Sequence, residues 1–204
     1  MNPTTDQQTD PSGVVSGGII LASQSPRRKQ LLEWAEIPFE IIVPETDESY
    51  PSNLPMEAVA VHIARNKALA VASNSSITKP ILSADTIVVL DEQVIGKPKD
   101  RQDAIAILSG LSGKTHRVIT GVVILYNDRE IAFADTTEVI FHELTEEQVI
   151  YYVDKYKPYD KAGAYAIQEW IGVVGIKSVA GDFYNVMGLP VSRVVQELIK
   201  EGLL

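Results

Sequence analysis

The chain has 204 residues, of which 45% are hydrophobic and 22% are charged, so it is long enough to bury a large core as an ordinary globular protein. It contains no cysteine, which excludes disulfides, thiolate zinc sites and thiol nucleophiles and favours a reducing, cytoplasmic compartment. The formal net charge of -9 disfavours binding to a nucleic-acid polymer, but a few basic side chains in a cleft can still hold a small anion.

The N-terminal residues 1–18 are rich in polar side chains, Pro and Gly, which predicts a disordered tail. We predict a single domain over residues 19–204. The sequence has neither the apolar core of a secretory signal nor the run of roughly 18 apolar residues that a membrane span requires.

The first half of the domain alternates short strands with helices. Residues 19–22 read as a buried strand, and a helix follows with Ser25 as N-cap and Pro26 in its first position. Residues 39–43 predict a second strand, and residues 55–72 carry the apolar spacing of a long helix. Residues 81–90 are the strongest strand signal, and a turn leads from them into residues 94–95.

The second half continues with a helix capped by Asp100 and ending near Ser109. Residues 116–126 and 130–141 predict two long antiparallel strands, and Thr145 with Gln148 fits a capping box that opens a helix to about Tyr156. A strand over residues 172–179 and a helix over residues 190–201 complete the list. These elements predict an α/β fold with one elongated mixed sheet flanked by helices.

A candidate phosphate site lies where the first strand meets the first helix, at Ser23, Arg27 and Arg28. The first turn of a helix carries partial positive charge, so two arginines there are unfavourable unless an anion lies beside them. Two solvated arginines at a surface turn are the alternative.

Asp85 is a candidate catalytic residue because it interrupts the strongest strand. Aspartate is depleted in strands, and a buried carboxylate must be paired, protonated, bound to metal or turned toward a cleft. A structural ion pair is the alternative, but such residues cluster at active sites.

Further charged residues surround it in the sequence. Glu45, Asp47 and Glu48 follow the second strand, and Lys97 follows the short hairpin. Carboxylates that hold Mg²⁺ or Mn²⁺ and lysines that neutralise phosphate are the usual groups of phosphoryl chemistry. Taken alone, the three acidic residues are typical of a solvated loop. Lys67 on the long helix is, taken alone, typical of a lysine whose aliphatic part is buried and whose ammonium lies in water.

Residues 112–115 (SGKT) are similar to the end of a P-loop. The pattern requires glycine at position 108, which is Leu108, and the segment follows a helix instead of leading into one. We therefore predict a turn.

Taken in order, these pieces resemble the Maf-like family of nucleoside triphosphate pyrophosphatases over nearly the whole chain from Ile19. The motifs that carry the resemblance are residues 21–28 (LASQSPRR), 47–48 (DE), 64–68 (ARNKA), 83–86 (SADT), 96–98 (GKP), 160–168 (DKAGAYAIQ) and 188–190 (GLP). Seven motifs in the family's order and spacing make an accidental match very improbable. The resemblance implies a two-lobed α/β fold with a cleft, similar to ITPase-like proteins, and commonly a homodimer.

The resemblance also implies roles for individual residues. Asp85 matches the proton acceptor that activates water, and Glu48 joins it in holding a divalent cation, Mg²⁺ or Mn²⁺. The positions that match phosphate contacts are Ser23, Arg28, Lys67 and Lys97. Whether Asp85 acts as base, as metal ligand or as both stays open.

Substrate choice is expected to depend on Arg27, Thr86 and Gln168, whose identities resemble the branch acting on dTTP and UTP. Gln168 offers a donor and an acceptor to the imide edge of thymine or uracil. Uracil and thymine differ by one methyl group, so we expect both to be accepted, with discrimination of at most about 1–3 kcal/mol. Such an enzyme would keep non-standard nucleotides out of nucleic acids, with a possible link to arrest of cell division.

Two alternatives remain. One is a pyrophosphatase for 7-methyl-GTP or purine analogues, against which the residues at positions 27, 86 and 168 argue. The other is a non-catalytic nucleotide-binding regulator of septum formation, against which Asp85 and Glu48 argue, because binding alone does not require carboxylates facing phosphates.

Overall fold

The computed structural model describes residues 17–74 and 77–204, and there it confirms the predicted mixed α/β fold. The predicted tail lies outside the described residues, except for Gly17 and Gly18. The strands are β1 (Ile19–Leu21), β2 (Phe39–Ile41), β3 (Ile81–Leu90), β4 (Gln93–Ile95), β5 (Thr115–Tyr126), β6 (Arg129–Phe141) and β7 (Ile176–Ala180). The helices are α1 (Pro26–Trp34), α2 (Met56–Ala72), α3 (Arg101–Leu111), α4 (Glu146–Tyr156), α5 (Trp170–Gly175), α6 (Phe183–Met187) and α7 (Val191–Lys200), with one 3₁₀ turn at Ala162–Ala164.

The seven strands form one sheet in the order β2-β1-β3-β5-β6-β7, and β4 pairs with β3. β1 runs parallel to β2 and to β3, whereas the remaining pairs are antiparallel. The two long hairpin strands β5 and β6 form the centre of the sheet's antiparallel part. The mixed character follows from the chain order, because the α1 and α2 crossovers join parallel strands, whereas tight turns join the antiparallel pairs β3–β4 and β5–β6 and helical segments lie between the strands of the other two antiparallel pairs.

Side chains of β3 alternate between two cores, one on each face of the sheet. Leu82, Ala84 and Val88 belong to the larger cluster, which includes buried residues of α1, α3, α4 and α7. Ile81 and Ile87 face the other way, against α2. Because this strand is covered on both faces, its sequence is almost continuously apolar, which explains the strength of its strand signal.

α2 lies unusually close to the sheet at Gly121 of β5. A Cβ atom at this position would lie 2.3 Å from the carbonyl carbon of Ala60 and 2.3 Å from the amide nitrogen of Val61. Only a residue without a side chain permits this contact. Gly121 is paired with Asp85 of β3, so the close approach occurs beside the candidate catalytic carboxylate.

The caps predicted for α3 and α4 are confirmed, whereas Ser25 occupies the N-cap position of α1 without a capping hydrogen bond from its side chain. The side chain of Asp100 accepts a hydrogen bond from the backbone of Asp103 at the start of α3. Thr145 and Gln148 form the reciprocal capping box of α4. The SGKT segment is a turn, as predicted: Gly113 adopts a φ of 70°, and the hydroxyl of Ser112 accepts a hydrogen bond from the backbone of Leu144.

The predicted strand over residues 172–179 is wrong in its first half. Residues Trp170–Gly175 form α5, and β7 begins only at Ile176. A short apolar run does not distinguish strand from helix, and here the run is not core, since Val173 is 80% exposed. A Cβ atom at Gly172 would lie 1.7 Å from the carbonyl oxygen of Ile167, a contact that only glycine allows in this tight turn. The sequence reading also missed α6.

Within the described residues, no helix has both the length and the apolar character needed to cross a membrane.

Candidate active site

A notch in the sheet creates the candidate site. β1 pairs with β3 only at Ile81 and Leu82, and β4 pairs with it only from Val88 onward. Among the described residues, no strand pairs with this edge of β3 at positions 83–87. Side chains from both faces of β3 therefore reach the same opening, so Asp85 on the α2 face and Thr86 on the opposite face line one cavity.

The cavity has a volume of about 640 Å³, which is in the range of small-molecule sites. Its walls come from the β1–α1 junction, the loop after β2, the notch in β3, the segment around residues 160–166 and the end of α6. Eight of the nine residues that the sequence singled out for roles in this site line it, namely Ser23, Arg27, Arg28, Glu48, Lys67, Asp85, Thr86 and Lys97. Gln168 is exposed and lies outside the lining.

The two candidate metal-binding carboxylates converge on one ammonium group. Lys67 Nζ donates to Asp85 Oδ1 at 2.6 Å and to Glu48 Oε1 at 2.8 Å. Only 14% of the Lys67 side chain and 13% of the Asp85 side chain are exposed. Lys67 is thus an ion-paired residue in the site and not a lysine whose ammonium extends into water.

Glu48 joins the site from the exposed loop after β2. The hydrogen bond from Lys67, together with the positive charges of Lys67, Lys97 and Arg28, holds the pKa of Glu48 below its usual value although burial opposes this. Lys97 Nζ lies 3.8 Å from Glu48 Oε2. At neutral pH the loop therefore presents a carboxylate to two ammonium groups. Of its other acidic residues, Glu45 also lines the cavity.

Arg28 is buried at the start of α1, where three oxygens accept its hydrogen bonds. Nε donates to the carbonyl of Gly188 at 2.8 Å, Nη1 to Ser23 Oγ at 3.1 Å and Nη2 to Thr86 Oγ1 at 3.1 Å. Burial lowers the pKa of the guanidinium, and the charge of Asp85 opposes this effect. Arginine remains protonated in proteins, so the site keeps a fixed cation at the N-terminus of a helix.

The Thr86 hydroxyl is part of a buried hydrogen-bond chain. It lies 2.9 Å from Thr120 Oγ1, and Thr120 donates to the carbonyl of Asn185 at 3.1 Å. The Asn185 amide donates in turn to Val118 O and to Thr137 Oγ1, each at 3.0 Å. These hydrogen bonds fix α6 against the sheet, so the Gly188 carbonyl that follows α6 is held in place for Arg28.

Arg27 lines the same cavity and is part of a second group of charges. Its Nη1 donates to Asp160 Oδ2 at 3.1 Å, and Lys161 Nζ donates to Asp160 Oδ1 at 2.7 Å. Both Asp160 and Lys161 line the cavity, although the sequence reading gave neither a role. The sequence did contain a signal for these two residues, because they form a charged pair directly before the apolar segment 162–167. The fold buries most of that segment.

Two carboxylates of the site could hold a divalent cation. Within the described part of the chain, no group of three or more His, Asp, Glu or Cys side chains forms a ready-made metal site. Glu48 and Asp85, held close together by Lys67, supply two carboxylates. Mg²⁺ is usually bound by one or two carboxylates, with waters and substrate phosphates completing its shell.

Comparison with known proteins identifies the family of this chain. The family model described as Maf-like protein matches residues 18–201. The chain is 50% identical over 182 residues to a dTTP/UTP pyrophosphatase of Cytophaga hutchinsonii, a match that covers 89% of this chain and 83% of the relative. It is 47% identical over 181 residues to the protein of the same name from Parabacteroides distasonis, covering 88% and 94% of the two chains. The chain therefore belongs, over nearly its whole length, to the Maf-like protein family.

Proposed function

We propose that the chain hydrolyses dTTP and UTP to the nucleoside monophosphate and pyrophosphate. The convergence of Glu48 and Asp85 on Lys67, in a cavity that also contains Lys97 and Arg28, carries this proposal. It places carboxylates and cations together, as phosphoryl chemistry requires. Relatives with 46% and 50% identity that bear the name dTTP/UTP pyrophosphatase support the choice of nucleotides.

In the proposed reaction, a water molecule attacks the α-phosphorus and the bond from that phosphorus to the α–β bridging oxygen breaks. Asp85 accepts the proton of the attacking water, and the electron pair of the broken bond leaves with pyrophosphate. Lys67, Lys97 and Arg28 face the phosphates and offset the negative charge that develops on the leaving group.

A divalent cation, Mg²⁺ or Mn²⁺, is part of the proposal. Glu48 and Asp85 would hold it, and when bound it would supply positive charge to the phosphate oxygens. Lys67 then keeps its place between the two carboxylates and the substrate. Ser23 adds a hydroxyl that already accepts from Arg28 and from the backbone of Ser25.

The test is pyrophosphate release from a panel of nucleoside triphosphates with Mg²⁺ or Mn²⁺. We expect the highest kcat/KM on dTTP and UTP, loss of activity with EDTA, and loss of turnover in Asp85→Asn with the fold retained. Full activity in Asp85→Asn would remove the mechanism. A preference for 7-methyl-GTP or a purine would keep the mechanism and overturn the pyrimidine assignment. No release from any nucleotide would favour a binding regulator of septum formation.

The proposed physiological role is removal of non-standard pyrimidine nucleotides before polymerases use them. We place the protein in the cytoplasm, because a chain without cysteine gains no disulfide from an oxidising compartment. A homodimer, implied by the family resemblance, is also a proposal, and light scattering of the purified protein tests it.

A further inference from the structure

One wall of the cavity carries three charged groups that the proposed mechanism does not use. Arg27, Asp160 and Lys161 line the cavity and bond to each other through the Asp160 carboxylate. Arg27 precedes Arg28 in α1, and Arg28 bonds to Thr86, the residue after Asp85. Arg28 and Arg27 thus connect the Asp85 end of the cavity to Asp160.

The two cations of this wall are largely covered, whereas the Asp160 carboxylate between them is 57% exposed toward solvent. Only 10% of the Lys161 side chain is exposed, and its ammonium also lies 3.6 Å from Glu169 Oε1. Tyr152 donates a short hydrogen bond to Glu169 and accepts one from the backbone of Ala166 at 3.2 Å. The segment that contains Asp160 and Lys161 is thus fixed to α4.

The two cations bind different oxygens of the same carboxylate. Arg27 donates to Oδ2 and Lys161 to Oδ1 of Asp160. Asp160 is only partly desolvated, which would raise its pKa, but hydrogen bonds from Lys161 and Arg27 and their charges hold that pKa below its usual value. At neutral pH the order along the wall is donor, acceptor, donor.

The imide edge of uracil and thymine has the complementary order. It presents a carbonyl oxygen, an N–H and a second carbonyl oxygen, that is, acceptor, donor, acceptor. Cytosine presents a carbonyl oxygen, an unprotonated ring nitrogen and an amino group, so two of its three groups face a like partner. When two acceptors or two donors face each other, neither forms a hydrogen bond, and the unpaired groups lower the binding affinity.

We propose, on the basis of the proposed function, that Arg27, Asp160 and Lys161 read the imide edge of the nucleobase and reject cytosine. Gln168, to which the sequence reading gave this task, lies outside the cavity.

The adjoining lining suits the faces of a pyrimidine ring. It is mainly apolar and consists of Ala162, Tyr165, Ala166, Val186 and Met187. The Tyr165 hydroxyl is 2.7 Å from Nε2 of the buried His116, which fixes the ring in the wall. An apolar slot with a few polar groups at one end is the usual form of a base pocket.

Binding of non-hydrolysable analogues tests the proposal. The α,β-methylene analogues of UTP and CTP are titrated in the presence of Mg²⁺ into the wild-type protein, Asp160→Asn and Asp154→Asn. We expect the wild type to bind the uridine analogue about 10- to 100-fold more tightly than the cytidine analogue. Asp160→Asn, whose amide also offers a donor to the cytosine ring nitrogen, should lose at least about tenfold of this preference.

Asp154→Asn is the matched control, because Asp154 pairs with Arg101 on the surface and lies outside the cavity. It should keep the wild-type preference. Lys161→Met, which removes the ammonium at similar length, should weaken the uridine analogue more than the cytidine analogue. Equal weakening of both analogues, or a wild type without preference, would overturn the proposal. Since these readouts need no turnover, they remain decisive if pyrophosphate release fails and the proposed reaction is wrong.

Discussion

Replacement of Gly121 by alanine should separate α2 from the sheet. The added Cβ would lie 2.3 Å from two backbone atoms of α2, whereas non-bonded carbon atoms need about 3.5–4.0 Å. The helix and the strand must therefore move apart by roughly 1 Å. Overpacking of this kind costs about 1–3 kcal/mol of unfolding free energy. For a chain of this length, that corresponds to a fall in Tm of about 2–12 °C.

The same movement should reduce activity. Lys67 is on α2, and its 2.6 Å contact with Asp85 crosses the interface that the new methyl group opens. A misplacement of about 1 Å can reduce turnover by up to roughly 100-fold. Thermal unfolding and pyrophosphate release on the same preparation would give both effects.

Gly110→Ala is the matched control for this substitution. Gly110 lies within α3, and a Cβ atom there meets nothing within 4 Å. Alanine in a helix is favoured over glycine by about 0.5–1 kcal/mol, so this variant should unfold at a higher temperature than the wild type. A Gly121→Ala protein as stable and as active as the wild type would refute the reasoning, because it would mean that α2 accommodates the methyl group without moving.

Three further predictions concern stability. His116 is buried, which lowers its pKa to about 4 from 6.5. Because the unfolded chain takes up this proton near pH 6.5 and the folded protein only near pH 4, unfolding free energy should fall by up to about 3 kcal/mol between these values and then level off; His116→Gln should flatten this slope in denaturant titrations. Arg28→Lys removes the guanidinium that donates to three oxygens, so the unfolding free energy measured by the same titrations should fall by about 2 kcal/mol or more. An unchanged denaturation midpoint would contradict the structural role of the guanidinium. Thr145→Ala removes half of the α4 capping box and should lower stability by about 1 kcal/mol, while a Tm equal to that of the wild type would show that the cap is dispensable.

Local sequence patterns predicted most of the fold. The residues 81–90 strand matches β3 at both ends, and the capping box of α4 is present as predicted. The failure at residues 172–175 has a physical cause, since two adjacent valines satisfy a strand pattern but are partly or largely exposed on a short helix. Only tertiary packing around Gly172 decides between a strand and a helix at these residues.

The candidate site was predictable in its charges but not in its pairings. Asp85 was conspicuous because a carboxylate in an apolar strand needs a partner. That the partner is Lys67, 18 residues earlier, depends on how α2 crosses the sheet. The roles of Asp160 and Lys161 depend on contacts with Arg27, which is 133 residues from Asp160, and no local pattern contains such information.

The hydrogen bond from Arg28 to Gly188 spans 160 residues of sequence. During synthesis, the first residues proposed to bind phosphate leave the ribosome long before the part of the chain that supplies this carbonyl exists. Until then Arg28 has no Gly188 to hold it, and contacts of such long range form late in folding because loop closure precedes them. A nascent or truncated chain that ends before α6 thus carries every proposed catalytic side chain but lacks the carbonyl that accepts a hydrogen bond from Arg28. The Arg28 site is assembled only after α6 and Gly188 are made.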